Sequence, residues 1–320
     1  MTKLLFSLRF AACAALTYGS LWAADWQTFR GDGNRSAYTP DKLPTALSLR
    51  WVHKTRHSPR PAWSGRDTRM PFDAVFHPVV AGDRLFFGSS ADGKVYALDT
   101  ATGKEQWSFF TGGPIRFAPL VWQSKVFVAS DDGFLYCLAA EGQGSWFGRR
   151  TGKLLWKMQG GPIESMLLGN DRMISRWPAR GGPVIADGTL YFAAGIWPSE
   201  GIFLYALDAA TGRKLWCKDS AGSIFMAQPH GGSYAKSGIS AQGHLVVNGD
   251  QVLVPTGRAV PAAFGRADGK LRYFHLQKYS GHGGSSMVSA GPVFFHSNSV
   301  FNTATGHLEL KGLSKGAHTK

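Results

Sequence analysis

The 320-residue chain has only three cysteines, Cys13, Cys137 and Cys217, and no two are adjacent. So few, so widely spaced, exclude a disulfide-framework miniprotein. The ten histidines are scattered along the chain. Acidic residues are scarce, 21 against 35 basic. The Asp residues fall mostly in turns, such as Asp83, Asp92, Asp131, Asp132, Asp187, Asp250 and Asp268, where the role is structural. Asp32-Gly33-Asn34 lacks the further oxygen ligands of a Ca²⁺ loop. No metal site is expected. No phosphate loop and no Gly-x-Ser-x-Gly elbow is present. Ser233-Tyr234-Ala235-Lys236 has the Ser-x-x-Lys spacing of acyl-enzymes. That chemistry needs the Ser at a helix start, and this one lies in a Gly-rich stretch, so the match reads as chance. No catalytic residue can be nominated.

Long hydrophobic runs are also missing. The longest lies at the N-terminus, where Lys3 and Arg9 precede Phe10–Leu16 and Leu21-Trp22-Ala23 offers a small-residue end. This reads as a secretory signal over 1–23, cut after Ala23. The run is too short for an anchor and is broken by Thr17, Gly19 and Ser20. No later stretch could span a bilayer, so a periplasmic or secreted protein without a transmembrane span is expected. Cleavage leaves 33 basic and 21 acidic residues, net +12. Such a balance suits an acidic partner or an anionic surface, and solubility alone also accounts for it. Nucleic acid is not an expected partner outside the cytoplasm. Cys137 and Cys217 read as small buried hydrophobes rather than a bridge.

What the chain has in abundance is glycine (40), tryptophan (11) and a repeat. Tyr96-Ala97-Leu98-Asp99-Thr100-Ala101-Thr102-Gly103-Lys104-Glu105-Gln106-Trp107 returns as Tyr205-Ala206-Leu207-Asp208-Ala209-Ala210-Thr211-Gly212-Arg213-Lys214-Leu215-Trp216. A stretched copy ends at Thr151-Gly152-Lys153-Leu154-Leu155-Trp156, and degraded copies follow at 267–274 and 302–310. Periods of tens of residues mean a propeller, solenoid or array. Each copy reads as strand, Asp/Thr-Gly turn, strand. An apolar-turn-apolar pair, such as Val184 to Phe192, precedes each copy. Four antiparallel strands per repeat is a propeller blade.

The pattern Ala-x-Asp-x-x-Thr-Gly-x-x-x-Trp resembles the repeat of the pyrroloquinoline-quinone-type (PQQ-like) propellers, over about residues 25–311. The resemblance implies that the Trp of one blade packs on its neighbour. That role would fall to Trp107, Trp156 and Trp216, with Ala97 and Ala206 at the small position and Gly103, Gly152 and Gly212 in the turns. Cys137 replaces the small Ala in the second copy, and Phe274 and Leu310 replace Trp in the last two. Trp26-Gln27-Thr28-Phe29-Arg30-Gly31 resembles the lead-in found before such propellers.

The expected organisation is an all-β propeller. Residues 24–74 form the lead-in, with a lone strand at 49–53 and a basic loop at 54–74. Five four-stranded antiparallel repeats lie at about 75–111, 115–160, 180–220, 239–278 and 285–311, and 312–320 is a basic tail. Insertions at 139–150, 160–179 and 221–238 read as exposed loops. Rings of this kind usually close at seven or eight blades. Five repeats suit a compact ring, a segment completed by another polypeptide, or a truncated product. An incomplete, open ring is favoured, because the Trp51 strand resembles the end of a missing blade.

The ligand-binding candidates are Arg176, Arg180, Trp197 and Arg258, in insertions that a propeller would crowd at its channel ends. Arg offers a planar fork for carboxylate or phosphate. The alternative is that each Arg ties down carbonyls or a neighbouring Asp. Quinoprotein dehydrogenases of this family place their quinone over adjacent cysteines, with carboxylates and an amide on Ca²⁺. This chain has no such cysteine pair, so pyrroloquinoline quinone with Ca²⁺ is disfavoured and no cofactor is expected. The resemblance is closer to the non-catalytic members, such as the outer-membrane barrel-assembly scaffold. The expected function is an exported, non-catalytic scaffold whose loops bind a protein or a small anionic ligand, or further blades that complete the ring. A PQQ-dependent dehydrogenase, or a decayed relative of one, is the alternative.

Overall fold

The computed structural model describes residues 24–63, 70–144, 150–169, 171–257, 259–276 and 282–312. The expected signal segment and the tail beyond 312 lie outside them. Five sheets succeed one another along the chain, each built on four antiparallel strands meandering in sequence order, the third also taking Gly243–His244 in parallel against its first strand. The first comprises Val79–Ala81, Arg84–Ser89, Lys94–Asp99 and Glu105–Phe110. The second comprises Leu120–Trp122, Lys125–Ala129, Phe134–Gly144 and Arg150–Gln159. The third is Gly181–Ala186, Thr189–Ala194, Phe203–Asp208 and Lys214–Lys218. Val246–Asn248, Gln251–Val254, Ala262–Gly265 and Leu271–Tyr273 make the fourth. Met287–Ala290, Val293–His296, Ser299–Asn302 and Leu308–Lys311 make the fifth. No α-helix occurs among the described residues.

The repeat has a bonding signature. The N–H just after the third strand donates to the turn between the first two: Thr100 to Asp83, Ala140 to Ser124, Ala209 to Gly188, Arg266 to Asp250 and Thr303 to Pro292. In two blades the Asp-x-x-Thr turn is clamped by its own carboxylate. Asp99 Oδ1 accepts from Thr102 N and Oγ1, both at 2.7 Å, and Asp208 Oδ1 does the same for Thr211. This is why the Asp and Thr recur at that spacing.

Adjacent blades are joined by an aromatic on the fourth strand. Trp107, Trp156 and Trp216 stand opposite Ala97, Cys137 and Ala206 on the third strand. A bulge follows immediately in every blade. Each aromatic ring covers the turn glycine of the next blade. A Cβ on Gly212 would lie 2.7 Å from Trp156, and one on Gly269 2.8 Å from Trp216. Trp107 covers both Gly142 and Gly152, because the hairpin of the second blade is lengthened. In the fourth blade the docking residue is Tyr273, which covers Gly306, and not Phe274. Tyr273 lies four residues after the turn glycine, as Trp107 does after Gly103, so Phe274 sits one position too late.

The ring is open. The docking that joins successive blades does not run from the fifth to the first, whose turn glycine Gly103 is covered by Trp51 instead. The docking series ends at Leu310, 55% exposed. It begins at Trp51, whose ring covers Gly103 and whose Nε1 donates to Thr100 O at 2.9 Å. Residues 49–53 form no strand, contrary to expectation. The first blade offers this segment a turn and a face, not a free edge to extend. The three insertions expected as loops carry paired strands instead: 139–144 lengthens the second blade's hairpin, and Met166–Gly169 with Arg172–Ser175 and Ile224–Ala227 with Tyr234–Ser237 form hairpins of their own.

Candidate functional site

The lead-in occupies the centre of the arc. Trp26 exchanges backbone bonds with Val80 in the first blade, and Gln27 O accepts from Val121 N in the second. Gly33 O accepts from Val247 N in the fourth, and Asn34 O from Ser289 N in the fifth. Each contact is to the first strand of a blade. Arg35 completes the set. Its Nε donates to Leu245 O at 3.0 Å and its second terminal nitrogen to Pro183 O at 2.9 Å. The other terminal nitrogen donates to Thr28 Oγ1 at 2.6 Å and to the carbonyls of Phe29 and Asp32. The side chain is wholly buried. Burial pulls its pKa down to about 9, with Asp32 acting the other way, so it stays charged at neutral pH. Five oxygen acceptors replace the water it has lost.

Beside this hub the rings of Phe29 and His244 stack at 3.7 Å, with His77 edge-on to both. His244 Nε2 accepts from Ala118 N at 3.0 Å, so that nitrogen carries no proton. Burial, then the charge of Arg35, holds its pKa well below the usual histidine range.

Strand polarity sorts the loops into two ends. The turns between second and third strands and the blade-to-blade connections emerge at one end, here termed upper, and the Thr-Gly turns at the other. Just beneath the upper surface lies a buried ionic network. Arg116 bonds Asp131 and Asp73, each at 2.5 Å. Arg180 grips Asp131 through two bonds of 2.9 Å. All four side chains are at most 3% exposed. Burial pushes Asp131 up, but the charges of Arg180 and Arg116 outweigh it and hold the carboxyl below its usual range. At Asp73 burial prevails over Arg116, and the carboxyl is raised. Trp63 lies against Arg180, with its Nε1 bonded to Gln242 at 3.1 Å.

The three described sequence candidates do not converge. Arg180 is committed to Asp131. Arg176 is half-exposed, 3.7 Å from Glu200 and over the Trp177 ring. Trp197 is half-buried and caps the 3-10 turn Pro198–Glu200. Arg258 lies outside the described residues. Sequence reasoning missed Arg35, Arg116, Asp73 and Asp131, because their partners lie far away in the chain. The conspicuous surface features are the two hairpins at the upper end. The first exposes Met166, Leu168 (73%) and Met173, and the second Phe225 (69%) and Tyr234, which stack on each other. Cys137 and Cys217 are free thiols. Burial pushes the Cys137 thiol up to about 12, out of reach of thiolate chemistry at neutral pH.

Five docked four-stranded blades around a filled hub define an open β-propeller. The family described as "Outer membrane protein assembly factor BamB" matches residues 11–310, and the chain belongs to this family of PQQ-like repeats. The chain is 32% identical over 210 residues to the dehydrogenase subunit of alcohol dehydrogenase (quinone) of Gluconobacter oxydans, 60% of this chain and 24% of that protein. It is 32% identical over 134 residues to the lanthanide-dependent methanol dehydrogenase of Methylacidiphilum fumariolicum, 40% of this chain and 20% of that protein. The chain therefore spans about a quarter or less of these curated relatives. Among solved structures, a quinohemoprotein alcohol dehydrogenase of Pseudomonas putida HK5 superposes with TM-score 0.62 at 17% identity, covering 90% of this chain and 48% of that one. That likeness concerns the fold alone.

The cofactor of the dehydrogenases does not fit the described residues. The hub is taken by residues 26–35. Of the buried carboxylates, Asp131 is fully engaged by two arginines, and Asp73 has one unpartnered oxygen, Oδ1, beside Arg116. A single oxygen next to a guanidinium falls far short of the six to eight that Ca²⁺ takes.

Proposed function

We propose that the protein is an exported binding scaffold that recognises another protein at the hairpin-bearing upper end and performs no chemistry at its hub. The observation that carries this reading is the hub itself, where the lead-in pairs with the first strands of four blades and Arg35 ties it to the carbonyls of Pro183 and Leu245. The upper end offers what the hub lacks. Leu168 and Phe225 are 73% and 69% exposed on separate hairpins, the first carrying Arg172 and the second Lys236 opposite Phe225. Exposed apolar patches rimmed by polar groups mark interaction sites. The family description, an assembly factor, supports a partner-binding role. The basic, apolar start of the chain supports export to the periplasm or beyond.

Quinone-dependent alcohol oxidation is the competing reading, favoured by the dehydrogenase relatives. Two measurements decide. Incubation with pyrroloquinoline quinone and Ca²⁺ or a lanthanide should give no dye-linked alcohol oxidation. A photo-cross-linking amino acid at Leu168 or Phe225 should give discrete protein adducts in the producing cells, and one at Thr102, on the opposite end, should not. Turnover, or adducts indifferent to position, would overturn the proposal.

A further inference from the structure

A cleft of about 330 Å³ opens at the upper end between the first two blades. Asp92 and Pro114 wall it, and the first hairpin brings Asp171, Arg172 and Met173 over it. Arg60 enters from the lead-in side. Neither Arg60 nor Arg172 has an ion-pair partner among the described residues. The nearby carboxylate of Asp92 is already spent. It takes His57 Nδ1 at 2.7 Å and the hydroxyls of Ser89 and Tyr96, each at 3.0 Å. Arg116, just below, is saturated by Asp73 and Asp131. Two guanidinium groups thus share one concavity, alongside the carboxylates of Asp92 and Asp171, with neither guanidinium ion-paired among the described residues. The cost is visible at Arg172: burial, then the charges of Arg60 and Arg116, pull its pKa below the ordinary arginine value.

The roof of the cleft continues into an apolar strip. Met173 and Leu168 are directly paired across the hairpin, so both point to the same side, and they are 53% and 73% exposed. Arg172, one residue earlier, points to the other side, toward the cleft. The hairpin strand therefore carries a cation and an exposed apolar pair at the rim of the same cleft. A lone inorganic anion would leave the apolar pair uncovered.

Building on the scaffold reading, we propose that Arg60 and Arg172 form the anchor for an acidic side chain of a partner protein, whose neighbouring apolar residues lie along Leu168 and Met173. Guanidinium forks hold carboxylates in fixed geometry, and arginine clusters are a recurring way of reading acidic motifs.

The probe is a fluorescein-labelled peptide of alternating glutamate and leucine, read by anisotropy against full-length protein. Saturable binding is expected, weakened about tenfold by Arg60→Gln or Arg172→Gln and abolished by the double charge reversal Arg60→Glu/Arg172→Glu. Rising salt should weaken it. The glutamine-leucine peptide should bind at least about tenfold more weakly than the glutamate one. Circular dichroism melts matching the unsubstituted protein confirm that the variants fold. No binding, equal binding of the glutamine peptide, or indifference to both arginines would overturn the proposal. So would inorganic phosphate binding with the same arginine dependence in place of the peptide. The cross-links at Leu168 and Phe225 report on the scaffold reading separately: if they persist while the peptide fails, only the acidic anchor is refuted.

Discussion

The docking aromatics are equivalent in sequence but not in bonding, and that difference is measurable. Trp107 is 1% exposed, and its Nε1 donates to Ala140 O at 2.8 Å. The same bond recurs from Trp51 to Thr100, from Trp216 to Arg266 and, through its hydroxyl, from Tyr273 to Thr303. Trp156 breaks the series. By register its acceptor should be Ala209 O, yet its buried Nε1 has no partner. Replacing either Trp by Phe removes about 40 Å³ of side chain and costs about 1 kcal/mol in lost packing. Trp107→Phe also orphans the Ala140 carbonyl, for about 1–2 kcal/mol more. Trp156→Phe instead removes an N–H that folding had stripped of water, and recovers about 1–2 kcal/mol. The expected costs are therefore about 2–3 kcal/mol for Trp107→Phe and near zero for Trp156→Phe. Urea melts followed by circular dichroism would read the gap of about 2 kcal/mol. Equal losses, or a larger loss at position 156, would refute the bonding argument.

Two further outcomes are expected. Arg35→Met should cost more than about 3 kcal/mol and loosen the lead-in, because it strands three buried and two part-buried acceptors; limited proteolysis cutting after residue 24 no faster than in the unsubstituted protein would count against this. Stability should fall as the pH drops from about 6.5 toward 4. Burial lowers His296 to about 4, and His77 and His244 are lowered as well. These rings are neutral when folded and take up protons on unfolding, so each contributes stability that is fully present above its unfolded pKa and is lost as pH falls toward the folded one. The slope should approach about 1.4 kcal/mol per pH unit for each such histidine, and a flat urea midpoint between pH 7 and pH 5 would contradict it.

The blades were legible because their determinants are local. Asp99 clamps Thr102, and Gly103 adopts φ +70°, within one turn of chain. Misreadings arose where one residue of register mattered, as at Phe274 against Tyr273, or where a backbone needed a partner, as at 49–53. The insertions were misjudged for a related reason. Glycine and serine dominate their ends, but Met166–Gly169 and Arg172–Ser175 can pair with each other, and pairing satisfies their backbone groups without help from a blade.

The sequence by itself determined the repeat, the four-stranded blade, the docking tryptophans Trp107, Trp156 and Trp216 and the family, because each depends on residues within about a dozen positions of one another. Only the tertiary structure decided what fills the centre and what the arginines do. Arg35 meets Leu245, Arg116 meets Asp73, and Arg180 meets Asp131 across 210, 43 and 49 residues. Charge and carbonyl partners at such separations leave no periodic trace in a sequence. They are selected when the blades close round the lead-in and exclude water, and a buried guanidinium must then find every acceptor within reach.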